Sequence, residues 1–252
     1  MLKPRVIPVL LLRNQGLVKT VKFDKHVYVG DPINAIKIFN EKEVDELVFL
    51  DIDASKKGGK PNFSIIGQIA TECFMPVCYG GGISDIESIR KILKLGIEKV
   101  SLNASAINSL DFIKSAVTTF GSSTIVISID IKKSLLGKPL VFDHRTGKTL
   151  NKDLFDYIHE LEKCGVGELL INSVDKDGTM SGYDIVLIEK ISRQVNIPVI
   201  VCGGASNLSD FKSAIKVGAS AVGAGSLFVF HGKHKAVLIT YPNTEELSEL
   251  IK

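Results

Sequence analysis

The chain has 252 residues, 45% hydrophobic and 23% charged, with 22 Gly and 8 Pro, which excludes collagenous, coiled-coil and largely disordered chains. That length is large for two small domains but ordinary for one closed α/β barrel, a fold that routinely exceeds ~150 residues per domain. Net charge is +3, with 31 Lys and Arg scattered among 28 Asp and Glu, so no basic stripe points to nucleic acid.

The N-terminal run MLKPRVIPVLLLRN is too short to span a bilayer, is interrupted by Pro4 and Pro8, and reads as a buried strand. Seven further β-rich runs follow: Leu47–Asp51, Val77–Gly80, Lys99–Leu102, Thr124–Asp130, Leu169–Asn172, Val199–Cys202 and Ala221–Gly223, after the first at Val6–Leu11. Helical patterns lie between them at Ile33–Lys42, Ser64–Glu72, Ile86–Leu95, Leu110–Thr118, Lys152–Cys164, Ile185–Gln194 and Leu208–Val217. Eight strands with intervening helices predict a single (β/α)8 barrel over residues 1–252. Two long connections, Arg13–Asp31 and Lys132–Asn151, fall where a barrel carries functional loops. Cys73, Cys78, Cys164 and Cys202 show no C-x-x-C spacing, so buried, reduced thiols in a cytoplasmic protein are expected.

Sliding residues 46–104 by 122 positions onto 168–226 gives thirteen identities without a gap, among them Glu46/Glu168, Asp53/Asp175, Gly81/Gly203 and Gly82/Gly204. The chain therefore reads as two half-barrels, about 1–122 and 123–252. Each half has a glycine-rich strand end, Tyr79-Gly80-Gly81-Gly82 and Cys202-Gly203-Gly204-Ala205. Such turns let backbone N–H groups approach a phosphate. A second strand end follows each, Ser101-Leu102-Asn103-Ala104 and Gly223-Ala224-Gly225-Ser226, so two cradles at one mouth imply a ligand with a phosphate at each end.

Asp130 ends an apolar strand, where a general acid or base is expected. Asp51, Asp53 and the Asp175–Thr179 loop are further polar candidates, and Lys19 is a flexible loop cation poised to close over an anion. Arg5, Glu46, Lys99 and Glu168 each sit at a strand start, two cations and two anions that would be costly unless paired. His26, His144, His159, His231 and His234 form no metal-binding pattern; His231-Gly-Lys-His234 reads as a surface turn. No cofactor is implied.

The motifs DELVFLDIDAS (45–55), GGGI (80–83), KVSLN (99–103), ISIDIKK (127–133), SVDKDGTMSGYD (173–184) and CGGA (202–205) resemble the HisF-like barrels, the cyclase subunits of imidazole glycerol phosphate synthase. The resemblance covers roughly residues 4–230. It implies a glutaminase subunit docked at the bottom of the barrel and an ammonia gate made of Arg5, Glu46, Lys99 and Glu168. It also implies one phosphate site at Gly81, Gly82, Asn103 and Ala104, and another at Asp177, Gly178, Gly203, Gly204, Gly225 and Ser226.

The family's two catalytic aspartates end strands one and five. Asp130 and Lys19 are retained here, but Leu11 stands at the other aspartate's position. Losing one acid/base member costs about 10²–10⁴-fold. This departure, with the 228–242 segment, resembles a paralogous HisF-like group linked to acetamidino modification of bacterial surface sugars. There the barrel and its glutaminase are thought to supply ammonia to an ATP-dependent sugar amidotransferase. A histidine-pathway cyclase and a non-catalytic sugar-phosphate binding or scaffold barrel remain alternatives.

Overall fold

Apolar runs buried on both faces pair as parallel strands, and eight of them close into a ring in the computed structural model, which describes residues 3–56 and 58–250. Met1 and Leu2 of the N-terminal run, Lys57, Ile251 and Lys252 lie outside the described residues. The barrel strands are Arg5–Arg13, Leu47–Asp51, Val77–Gly80, Lys99–Leu102, Ile125–Lys133, Glu168–Ser173, Val199–Cys202 and Ala221–Ala224. Each pairs with its sequence neighbour, and the first closes on the eighth, Arg5 opposite Ala221. The fold is a (β/α)8 barrel.

Seven outer helices alternate with these strands: Pro32–Glu41, Phe63–Glu72, Ile86–Lys94, Leu110–Phe120, Leu154–Lys163, Ile185–Ser192 and Leu208–Lys216. Each starts at a side-chain cap that accepts from the first turn's backbone, from Asp31, Asn62, Asp85, Ser109, Asp153, Asp184 and Asn207 in turn. Asp153 starts its helix two residues after the expected Lys152, because its carboxylate satisfies the Phe155 and Asp156 amides.

Two apolar layers result. One fills the space between strands and helices; the other occupies the barrel interior, where Ile7, Val9, Val48, Cys78, Val126, Leu170, Ile200 and Ala221 pack together.

Three local expectations are corrected. The first and fifth strands run on beyond Leu11 and Asp130, because each long connection folds back as an antiparallel partner. Gly16–Val21 pairs with the first strand and with Asp24–Gly30; Pro139–Asp143 pairs with the fifth strand and with Lys148–Thr149. Asn14 and Gln15 carry φ of 47° and 70° at the first reversal, the conformation of a tight two-residue hairpin turn. Short helices Ala104–Asn108 and Ser226–Val229 also follow strands four and eight, where their brevity hides any helical period. Finally, of the four free cysteines only Cys78 is fully buried.

Past the eighth strand, an aromatic chain fastens the C-terminal segment to the barrel. Tyr183, Phe211, Phe228 and Tyr241 stack in sequence with centroids 6.3, 6.0 and 5.4 Å apart. The Tyr241 hydroxyl donates to the Val6 carbonyl at 2.8 Å. Phe211 is fully buried at its centre. Phe211→Ala should lower the unfolding free energy by about 3–5 kcal/mol in a urea titration; a loss under about 1 kcal/mol would mean that the chain of rings is not a packing unit.

Candidate functional site

Parallel closure points every strand's C-terminal end to one mouth, which encloses a cavity of about 140 Å³. Leu11, Lys19 and Asp130 line it. So do Gly81, Gly82, Asn103 and Ala104 from the first half and Asp177, Gly178, Gly203, Gly204, Gly225 and Ser226 from the second. The fold thus places these residues at one mouth, whereas Asp53 and Asp175 are not among the residues lining it.

Asp130 is 6% exposed and lies in register with Asn172 of the sixth strand. Its Oδ2 accepts from Asn103 Nδ2 at 2.9 Å, and its Oδ1 accepts from Asn172 Nδ2 at 3.4 Å. His144 Nδ1 lies 3.5 Å from Oδ2. The sequence reading gave no role to Asn172 or His144, because neither stands in a glycine turn and their approach to Asp130 is made only by the fold. Leu11 also faces the cavity, in register with Leu50 and Val18, and offers no group for proton transfer.

Several cavity-lining polar atoms have no protein partner: Asn103 Oδ1, Asn172 Oδ1, Ser101 Oγ and Ser105 Oγ are all buried and unsatisfied. Buried polar groups are rarely left so. Their concentration here fits a polar occupant.

Lys19 is not the flexible loop cation that the sequence suggested. It lies on the hairpin strand Gly16–Val21, 5% exposed, and its Nζ donates to the Val9 carbonyl at 2.6 Å. Desolvation lowers its ammonium to about 8, against the opposing pull of the Asp177 carboxylate. Burial pushes the Cys202 thiol up to about 12, with Asp177 adding to the rise, so this cavity-lining sulfur stays protonated.

Glycine is required where the two halves touch. A Cβ at Gly225 would collide with Lys19 Nζ, so the missing side chain there makes room for the cation. Gly178, at φ +66°, lies against the Thr20 carbonyl and tolerates no Cβ either. Next to it Asp177 accepts from Thr20 Oγ1 at 2.7 Å and from the Phe23 amide at 3.3 Å. Its carboxyl is raised by burial, against the lowering by those two donors. Asp177 therefore joins the first hairpin to the loop after strand six.

The other acidic candidates mainly hold loops. Asp51 lines the cavity while its Oδ1 accepts from the Asp53 and Ala54 amides, both at 3.1 Å. Asp53 pairs with Arg13 Nε at 3.5 Å, and its repeat equivalent Asp175 accepts from the Lys133 amide at 2.8 Å. Each thus reaches the extension of the preceding barrel strand.

At the opposite end Arg5 bridges Glu46 and Glu168, and Lys99 Nζ reaches the same two carboxylates at 3.1 Å each. The result is an alternating ring of two cations and two anions across the barrel axis. Both glutamates are buried. His26 lines the cavity, whereas His231 and His234 are exposed on a turn, and no metal-binding cluster occurs among the described residues.

Residues 5–235 match the model of the histidine biosynthesis protein family. A Pseudomonas aeruginosa protein, provisionally named imidazole glycerol phosphate synthase subunit hisF2, is 51% identical over 248 residues, covering 98% of this chain and 99% of that protein. A Leptospira borgpetersenii protein, provisionally named subunit HisF of the same synthase, is 49% identical over 96% of each chain. One from Vibrio vulnificus, provisionally named subunit hisF3, is 46% identical over 100% of this chain and 98% of its own.

Anion binding at this mouth should depend on the Lys19 charge, which is present below about pH 8 and lost as pH rises through it. Sulfate, which does not titrate in this range, should bind several-fold more weakly at pH 9 than at pH 7 by calorimetry. Lys19→Met should remove that difference; equal affinity at both pH values in the unmodified protein would show that Lys19 does not face the anion.

Proposed function

The chain belongs to the histidine-biosynthesis protein family and is HisF-like, and within that family we propose that it receives ammonia from a glutaminase subunit and passes it on for acetamidino modification of a bacterial surface-polysaccharide sugar. The observation that carries this reading is Leu11 facing the mouth cavity opposite a retained barrel axis. The interior layer along that axis is apolar, and the ring of Arg5, Glu46, Lys99 and Glu168 spans its lower end. Passage of a neutral molecule needs those features and no acid/base pair.

In this proposal the four-residue ring is the entry gate, the glutaminase docks around it as a heterodimer, and an ATP-dependent sugar amidotransferase takes the ammonia at the mouth. The glycine turns and short-helix starts hold a phosphorylated small molecule. Residues 1–122 and 123–252 act as half-barrels of one unit. No described helix is long and apolar enough to cross a membrane, and we place the protein in the cytoplasm.

A second reading, cyclisation of the bisphosphorylated ribulosyl substrate to imidazole glycerol phosphate and aminoimidazole carboxamide ribotide, draws support from Asp130, Lys19 and both sets of glycine turns lining one cavity. The two readings separate experimentally. With that substrate and ammonia, the unmodified chain should turn over about 10²-fold or more below an intact acid/base pair, and Leu11→Asp should raise the rate. Turnover of ~1 s⁻¹ or more by the unmodified chain would return it to histidine biosynthesis.

Size-exclusion chromatography should give a stoichiometric complex with the cognate glutaminase. A mixture of barrel, glutaminase, ATP-dependent amidotransferase, acetamido sugar and glutamine should form the acetamidino product faster than the same mixture without the barrel. No dependence on the barrel would sink the conduit reading.

A further inference from the structure

The turn that carries His144 is built to hold it still. Asp143 is buried, and Arg145 grips it twice, Nε to Oδ1 at 2.9 Å and Nη2 to Oδ2 at 2.8 Å. The Arg145 amide also donates to Asp143 Oδ1, and the Gly147 amide to the Asp143 carbonyl, both at 2.9 Å. Arg145 Nη2 reaches Asn108 Oδ1 at 3.0 Å, which fixes the turn to the short helix after strand four. Between the two clamped residues, the His144 imidazole is only 17% exposed, lines the mouth cavity and sets Nδ1 3.5 Å from Asp130 Oδ2.

A carboxylate facing one ring nitrogen favours the proton on that nitrogen and leaves the other as a base. That tautomer is the one in which Nε2 can accept a proton, and catalytic contacts in unliganded sites are commonly longer than in the loaded site. Asp130 is meanwhile fixed from its other sides by Asn103 and Asn172. The position where a second carboxylate would stand is leucine. The cavity is lined by the carboxylates of Asp51, Asp130 and Asp177 and the imidazoles of His26 and His144, and of these Asp130 and His144 lie 3.5 Å apart.

We propose that His144 is a catalytic residue of this cavity, paired with Asp130, and that it moves the proton when ammonia adds to a carbonyl carbon of the phosphorylated ligand. The proposal rests on the reading that ammonia reaches the cavity. Addition forms the carbon–nitrogen bond and puts the carbonyl π pair on oxygen, leaving the nitrogen with one proton too many and the oxygen with one too few. His144 Nε2 takes the proton from nitrogen and returns it to oxygen. A second such transfer, from nitrogen to the departing hydroxyl, releases water and leaves a carbon–nitrogen double bond. No oxidant or reductant is required.

The test is ammonia-dependent turnover of the bisphosphorylated ribulosyl compound by the full chain, followed by mass spectrometry. The unmodified chain should show slow turnover above the buffer rate. His144→Gln, which keeps a polar group near Asp130, and His144→Ala should each lower kcat about tenfold or more with KM unchanged. Added imidazole should restore turnover to His144→Ala but not to Asp130→Asn, a rescue that a purely structural histidine would not give. His144→Ala turning over at the unmodified rate, loss confined to KM, failure of imidazole rescue, or no turnover by the unmodified chain would each overturn the proposal. Ammonia delivery to the acetamido sugar, measured on the same variants, separates the two readings: if delivery persists while His144 proves silent, the conduit stands and the catalytic role falls.

Discussion

Register within the closed ring determines the rest of the molecule. Glu168 through Ser173 pair in parallel with Val126 through Ile131, and this one alignment sets the sixth barrel strand against the fifth. Because a parallel ladder keeps every strand's ends on common faces, closure sends Arg5, Lys99 and Glu168 to one rim and Leu11, Asp130 and Asn172 to the other. A slip of one residue would turn Asp130 away from the interior and bring an isoleucine in its place. Ring and cavity are thus consequences of the same pairing.

The two ends solve opposite electrostatic problems. At the lower rim, charge is concentrated and then cancelled, with each buried glutamate touching both cations. At the mouth, polar capacity is left open: Asn103 and Asn172 each use their amide nitrogen on Asp130 and keep a buried oxygen unsatisfied. Burial there also lowers the Lys19 ammonium to about 8, so its charge is held less firmly than that of a solvated lysine. The mouth is therefore an environment that a polar molecule with hydrogen-bond donors would complete, while the lower end is already complete.

The alternation of apolar runs and capped helices made the barrel readable, since a strand buried on both faces and an Asp or Asn before an amphipathic segment are local signals. The glycine turns were readable for a similar reason, as each half repeats the other. Lys19 was misread because its surroundings are set by Gly225 and Val9, contacts made only after the hairpin folds over the mouth. His144 carried no local signal at all. Its significance arises from a turn clamped by Asp143 and Arg145 and from a strand pairing that places Asp130 beneath it, neither of which is visible in residue spacing.

Four alternating charges around an axis have no net charge and little dipole; to an approaching ion they amount to a quadrupole, whose field fades far faster with distance than that of a lone charge. Neither cations nor anions in the surrounding solvent are drawn to the lower opening from afar. At contact range, the ring's donors and acceptors are already engaged with one another, so a charged solute would have to break them to enter. A small uncharged molecule faces no such electrostatic demand. In the proposed conduit role, the closed ring would filter on charge without presenting a field that would collect the ions it excludes.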